Sequence, residues 1–186
     1  ELYYEIRGSG PTLLLIPGGG GDAATFDGIA AELADRFTVV AFDARGYSRS
    51  RLTGDPTEQV VEVQSDDAYR LLDHVTTSGE RAYVFGSSSG AIVALDLLTR
   101  RPERLGLVVA HEPPCVAVLP NAAEHLAFFA EVHRLYRTAG REPAMAYFMA
   151  GIGGTLRDLP DPVGLPPRMA DMISRINANF PLFMEY

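Results

Sequence analysis

The sequence predicts an α/β fold: a mostly parallel sheet with helices on both faces, followed by a helical segment. Three observations carry this. Apolar runs of strand length alternate with helical periodicity over residues 1–110. Each run empties into a glycine-rich or polar turn, as strands of a parallel sheet do where ligands bind. After Pro113 the strand pattern stops and helical spacing takes over. With 186 residues, 47% of them hydrophobic, the chain can bury one substantial core plus an excursion.

Leu2, Tyr4 and Ile6 alternate with polar positions, the period of a half-buried strand, and Gly8-Ser9-Gly10-Pro11 turns it. Thr12 to Ile16 is a continuous apolar run, as expected of a strand covered on both faces. It runs into Pro17-Gly18-Gly19-Gly20-Gly21. Those glycines suit a loop whose N–H groups stabilise an oxyanion, with a flexible turn as the plainer alternative. A phosphate loop fits less well, because the Gly-Lys-Ser/Thr ending is absent. Phe26, Ile29, Ala30, Leu33 and Phe37 predict an amphipathic helix, and Thr38 to Phe42 a second buried strand. Asp43-Ala44-Arg45-Gly46-Tyr47-Ser48 follows as a polar turn. An Asp43–Arg45 ion pair is expected to brace it, with Gly46 at positive φ, in preference to acting as a catalytic pair.

Arg51 to Gln59 is polar and reads as a surface loop. Ala68, Leu71, Leu72 and Val75 mark the next helix, with His74 near its C-terminus as a solvated or dipole-facing residue. Tyr83 to Phe85 is a short apolar run ending in Gly86-Ser87-Ser88-Ser89-Gly90, and a very apolar helix from Ile92 to Leu98 begins at once. This is strand, sharp turn, helix, with Ser88 at the apex. Strained backbone there requires small neighbours, and it lifts the hydroxyl clear of the sheet at the positive end of the helix. A structural Ser/Gly turn would carry similar residues, so the neighbouring strand ends decide. Pro102 stops the helix, and Leu105 to Ala110 is expected as another buried strand before His111-Glu112-Pro113-Pro114. Gly18–Gly21, Asp43, Ser88 and His111 thus converge at the carboxyl ends of the strands.

Beyond Pro113, Asn121-x-x-Glu124 opens a helix running to Gly140, and Pro143 opens a shorter one over Ala144–Ala150. A Gly/Pro-rich loop spans Gly151 to Pro167, and Met169, Met172, Ile173, Ile176 and Phe180 form a third amphipathic stripe. The domain reading is a sheet unit over 1–114 and a helical lid over 115–186.

Net charge of −8 argues against nucleic acid and anionic membrane surfaces as partners. All 16 basic residues are Arg, read as a genomic bias. The single Cys115 excludes an internal disulfide and a cysteine metal cluster, and fits a reducing, cytoplasmic setting. No apolar run approaches the ~20 residues of a membrane span. The sequence opens at Glu1 rather than Met, and the biological start is expected to differ.

Residues 11–114 resemble the first half of an α/β-hydrolase of the lidded subgroup, which holds small serine esterases, cofactor-free haloperoxidase-like enzymes and epoxide- or haloalkane-cleaving relatives. The resemblance rests on Pro17-Gly18-Gly19, Asp43-x-Arg45-Gly46-x-Ser48, Gly86-x-Ser88-x-Gly90 and the His111–Pro114 junction. It implies Ser88 as nucleophile, with the N–H groups of Gly19 and Ser89 forming an oxyanion hole. It also implies Gly18, Asp43 and His111 as supporting residues, and neither metal nor cofactor. A serine at 88 disfavours the epoxide and haloalkane branch. The implied substrate is a small ester-like molecule; the lid residues Phe128, Phe129, Tyr136, Tyr147 and Phe148 favour an apolar or aromatic group on it, with packing the more expected role for any one lid phenylalanine.

The family's acid and histidine follow the lid, so both are expected outside these residues. A fragment is the preferred reading, ahead of an enzyme completed by a second polypeptide or a pseudoenzyme. An internal arrangement of His111 with Glu112 or Asp43 is less favoured. Perhydrolysis at the same site and non-catalytic ligand binding are the alternative functions. The 186-residue chain alone is expected to turn over no ester and to expose a strand edge, favouring self-association or pairing with the missing segment.

Overall fold

A computed structural model describes residues 1–53, 59–77, 79–153 and 164–185. Most of the polar loop expected at Arg51–Gln59 and of the Gly/Pro-rich loop at 151–167 lies outside the described residues. Two compact units are present: Glu1–Pro114 together with Leu165–Tyr186, and Cys115–Gly164. The boundary near 114 falls where the strand pattern ends. Residues from 165 onward differ from the expected continuous lid, since they belong with the sheet unit.

The first unit is built on five strands: β1 (Tyr4–Arg7), β2 (Thr12–Ile16), β3 (Thr38–Phe42), β4 (Ala82–Ser87) and β5 (Leu105–His111). Their order is β1-β3-β2-β4-β5, with β1 antiparallel to β3 and all other pairs parallel. Helices α1 (Asp27–Leu33), α2 (Val61–Val75) and α3 (Ser89–Arg100) make the crossovers. The β2–α1–β3 step moves outward and the β3–α2–β4 step returns across β2. Right-handed crossovers therefore put α1 on one face and α2 with α3 on the other.

Strand alternation matches this layering. Leu14, Ile16, Val40, Phe42 and Val84 pack with Leu71, Leu72, Val93 and Leu97 on one face. Leu13, Leu15, Val39 and Ala41 pack with Ala23, Phe26 and Ala30 on the other. The helix expected from Phe26 to Phe37 is shorter than its pattern. A 3₁₀ turn over Ala23–Phe26 precedes α1, and Ile29 is exposed.

β5 departs from expectation. Only Leu105 is fully buried, while Leu107 and Val109 are 54% and 44% exposed. Among the described residues the strand pairs with β4 alone, and its α3-facing residue Val108 packs on the core. Among the described residues of this unit no helix covers the opposite face there. Periodicity reports apolarity, and cannot report whether a partner layer is present.

The last helix of this unit, α6, is Pro167–Glu185 in chain order, after α4 (Ala122–Ala139) and α5 (Arg141–Gly151). Arg168 bonds Glu5 at 2.6 Å and Asp27 at 2.8 Å, and Arg7 bonds the same two carboxylates. Hydrogen bonds from Arg168, then Arg7, hold Asp27 below the ordinary carboxylate range. For Glu5, burial pushes upward, and the bonds from Arg168, Arg7 and Tyr3 outweigh it, leaving the group lowered. A depressed folded-state pKa stabilises above the unfolded value, ~4, and that contribution disappears as pH falls through the folded value. Acidification to about pH 3 is thus expected to loosen α6 first. Pepsin should cut within Pro167–Glu185 before it cuts the sheet; cleavage in the reverse order would count against this.

In the second unit, Gly140 ends α4 with φ +90°, as its spacing implies. The expected capping box does not form: the Asn121 side chain meets Glu124 and His125 at 3.4 and 3.1 Å rather than the backbone. Phe128 gathers Phe129, Tyr147 and Phe148 at ring separations of 5.3–6.2 Å, so these aromatics pack on one another.

Candidate active site

β4 delivers Ser88 to an elbow where its backbone adopts φ +54° and ψ −123° ahead of α3. A non-glycine residue held there stores ~1–3 kcal/mol of strain, which the surroundings must maintain. They do so by close backbone passage. A Cβ on Gly86 would sit 2.3 Å from the Gly90 carbonyl oxygen, and one on Gly90 would sit 2.4 Å from the oxygens of Ile16 and Pro17. The Ser88 N–H donates to the His111 carbonyl at 2.9 Å. Its side chain is exposed, at the N-terminus of a twelve-residue helix whose first N–H groups have no intrahelical acceptor.

The glycine loop runs alongside. A Cβ on Gly18 would lie 3.2 Å from the Ser88 Cβ. Gly21, at φ +63°, donates its N–H to the Gly18 carbonyl at 2.9 Å. In a trans peptide the C=O and the next N–H point oppositely, so a Gly18 carbonyl turned into the loop turns the Gly19 N–H outward. The Phe183 ring of α6 lies where a Gly19 Cβ would be, 2.5 Å from that point, and the Tyr47 ring packs beneath Gly21. A cavity of about 210 Å³ opens here, lined by Gly18, Gly19, Tyr47, Ser89, Ile92 and Phe183 among others. Burial pushes the Tyr47 phenol up to about 12, so it stays neutral at physiological pH. A groove of about 460 Å³ between β1 and α2 contains none of Ser88, Gly19 or Ser89.

Asp43 is fully buried at the end of β3 and does not pair with Arg45. Its carboxylate accepts from the Ala23 N–H at 2.8 Å, and from the Arg49 N–H, Nε and Nη2 at 3.0, 2.6 and 2.8 Å. Arg45 instead reaches Asp67 at 2.6 Å. The turn is braced as expected, with the partner corrected; Gly46 takes φ +84°. Arg49 takes the place because the turn, six residues on from Asp43, returns its guanidinium over that carboxylate, where it also stacks 3.6 Å above the Tyr3 ring.

His111 stacks on Phe85 at 6.1 Å and serves Ser88 through its carbonyl. Among the described residues no hydrogen bond joins its ring to Ser88, Glu112 or Asp43. His74 is exposed in the last turn of α2, where it also meets the Tyr4 hydroxyl at 3.2 Å. No group of three or more metal-ligating side chains occurs among the described residues.

A polar cluster with buried Asp22 and Asn179 and partly exposed Ser48 and Arg175 was not legible in the sequence. Asp22 accepts from Ser48 Oγ at 2.7 Å and from Arg175 Nε at 2.6 Å. Burial opposes its ionisation, yet bonds from Arg175, Ser48 and the Ala24 N–H hold it low. The one signal was Asn179, a polar residue three positions after Ile176 on the apolar stripe of α6.

A mostly parallel sheet with a serine at such an elbow is the architecture of the α/β-hydrolase class. The chain belongs to the Alpha/beta hydrolase family, whose sequence model matches residues 13–184. It is 49% identical over 119 residues to the uncharacterized hydrolase YraK of Bacillus subtilis, covering 64% of this chain and 43% of that protein. It is 34% identical over 113 residues to a zearalenone hydrolase of Bionectria ochroleuca, covering 60% and 43% respectively. A thermophilic esterase from Thermogutta terrifontis superposes with a TM-score of 0.66 at 25% identity, covering 98% of this chain and 66% of that one. The stretch matched in the two curated relatives is thus less than half their length.

Proposed function

We propose that this sequence is part of a serine hydrolase acting on small carboxylic-ester-like substrates. The observation that carries the reading is Ser88: exposed, held at positive φ, and flanked by the Gly18 backbone and the N-terminus of α3. In the proposed reaction Ser88 Oγ attacks the substrate carbonyl carbon. The N–H groups of Gly19 and Ser89 receive the charge that develops on the carbonyl oxygen; the carbonyl–alkoxy bond then breaks, the alcohol leaves with the proton Ser88 gave up, and water hydrolyses the acyl-serine to the acid and free Ser88. A serine hydroxyl needs a base. We place that histidine and its acid partner in sequence after residue 186, in keeping with the greater length of the relatives. The hydrolase names of those relatives support the reaction class.

The cavity beside Gly19 is read as the subsite for the smaller substrate group. At about 210 Å³ it lies below the ~300–1,000 Å³ of pockets that take drug-sized ligands, so a short group fits and a long chain does not. Phe183→Ala opens one wall and is expected to shift the kcat/KM ratio of hexanoyl over acetyl esters upward by about tenfold, measured on a p-nitrophenyl series. An unchanged ratio removes the subsite. The reading of the reaction itself is tested by a fluorophosphonate probe on the full-length protein. Label should be found on the peptide carrying Ser88, and label elsewhere or nowhere refutes it.

A further inference from the structure

We infer that Asn179 of α6 is a positioning residue that sets the direction of the Gly19 N–H. This rests on the reading of Ser88 and the glycine loop as a hydrolytic site, and concerns how that site is held rather than what it does.

The connection runs through two peptide planes. Asn179 Nδ2 donates to the Gly20 carbonyl at 2.8 Å. The other end of that same peptide, the Gly21 N–H, donates to the Gly18 carbonyl at 2.9 Å. The Gly18 carbonyl in turn shares a plane with the Gly19 N–H. A rigid trans peptide transmits orientation from one edge to the other. Asn179 therefore fixes the 20–21 plane, and that plane fixes the 18–19 plane whose N–H faces outward beside Ser88. Four consecutive glycines would otherwise leave these dihedrals nearly free.

Asn179 is itself over-determined. It is 6% exposed, its Oδ1 accepts from the Ser48 N–H at 2.8 Å, and its Nδ2 also donates to Ser48 Oγ at 2.9 Å. One amide edge faces a backbone donor and the other a backbone acceptor, so only one orientation of the amide satisfies both. Ser48 passes the restraint on to Asp22, which Arg175, one turn earlier on α6, also clamps. Ile176 lies 3.6 Å from a Cβ position on Gly20, closing the apolar side. A helix from the far end of the sequence thus holds the loop by hydrogen bonds on its carbonyl side, leaving the N–H side open to substrate.

An oxyanion donor acts on the transition state more than on bound substrate, so a mis-aimed N–H lowers kcat and leaves KM little changed. Asn179→Asp keeps the shape and the acceptor for the Ser48 N–H, and loses the donor to Gly20. In the full-length protein its kcat is expected to fall at least tenfold near pH 8, with KM within twofold, and the lost buried hydrogen bond should lower the melting temperature without preventing folding. Fluorophosphonate labelling of Ser88 should slow in proportion. An aspartate has an ordinary pKa of ~3.9 and stays ionised from pH 8 to pH 5.5, so the loss should persist across that range, and the split between a lowered kcat and an unmoved KM is what general loosening would not produce. Asn179→Ala, which also lacks the donor, should show the same fall in kcat with KM little changed. A folded Asn179→Asp with wild-type kcat across this range overturns the inference while normal Ser88 labelling leaves the hydrolase reading standing. Absence of label on the wild type overturns both.

Discussion

Ser88→Ala is expected to lower ester turnover by a factor on the order of 10³ or more and to abolish fluorophosphonate labelling, with no loss of stability. The size follows from the proposed mechanism: the residual activity is what two amides and a pocket can do with water as nucleophile. The neutral or positive effect on stability follows from the backbone. Alanine carries the same φ penalty at +54°, and the side chain it replaces is exposed, so no buried contact is removed. The two measurements belong together, since a variant that lost activity by unfolding would carry a lowered melting temperature. Turnover within tenfold of wild type by the Ser88→Ala protein would contradict the assignment.

Asp43→Ala should act oppositely, on stability first. Asp43 is fully buried and its two oxygens receive a backbone N–H of the 3₁₀ turn and three N–H groups of Arg49. Removing one partner of a buried pair leaves the other charge uncompensated, at ~3–5 kcal/mol. Arg49 retains Glu5 at 3.4 Å and Asp22 at 3.6 Å, which places the expected loss near the lower end, about 3 kcal/mol. For a domain of this size that is a fall in melting temperature of about 10 °C. The protein that remains folded should keep kcat within a few-fold. A thermal melt and a kcat on the folded fraction separate the two roles: activity lost without stability would make Asp43 part of the chemistry instead.

Much of this was readable in advance because it is local. The order of strands and helices, the stop at Gly140, the positive φ at Gly46 and the elbow at Ser88 each depend on residues within one or two turns of one another. Asp43 shows where locality ends. The sequence signalled a carboxylate bracing a turn, but Arg45 and Arg49 were both within reach, and only the path of the turn chose between them. β5 shows the same limit in another form, since an apolar run cannot tell whether a neighbouring layer will cover it. α6 shows it most clearly. Its stripe of Ile173, Ile176 and Phe180 announced an amphipathic helix without saying what it would pack on.

By itself the sequence determined the class of fold, the strained serine and the run of glycines beside it, because periodicity, turn chemistry and the intolerance of tight backbone for side chains are written into short stretches. Tertiary structure alone decided which groups hold those glycines: Asn179 meets Gly20 across 159 residues and Ser48 across 131. Hydrogen bonds at that separation form only after hydrophobic packing has brought helix and sheet together, and no local pattern encodes which surfaces will meet.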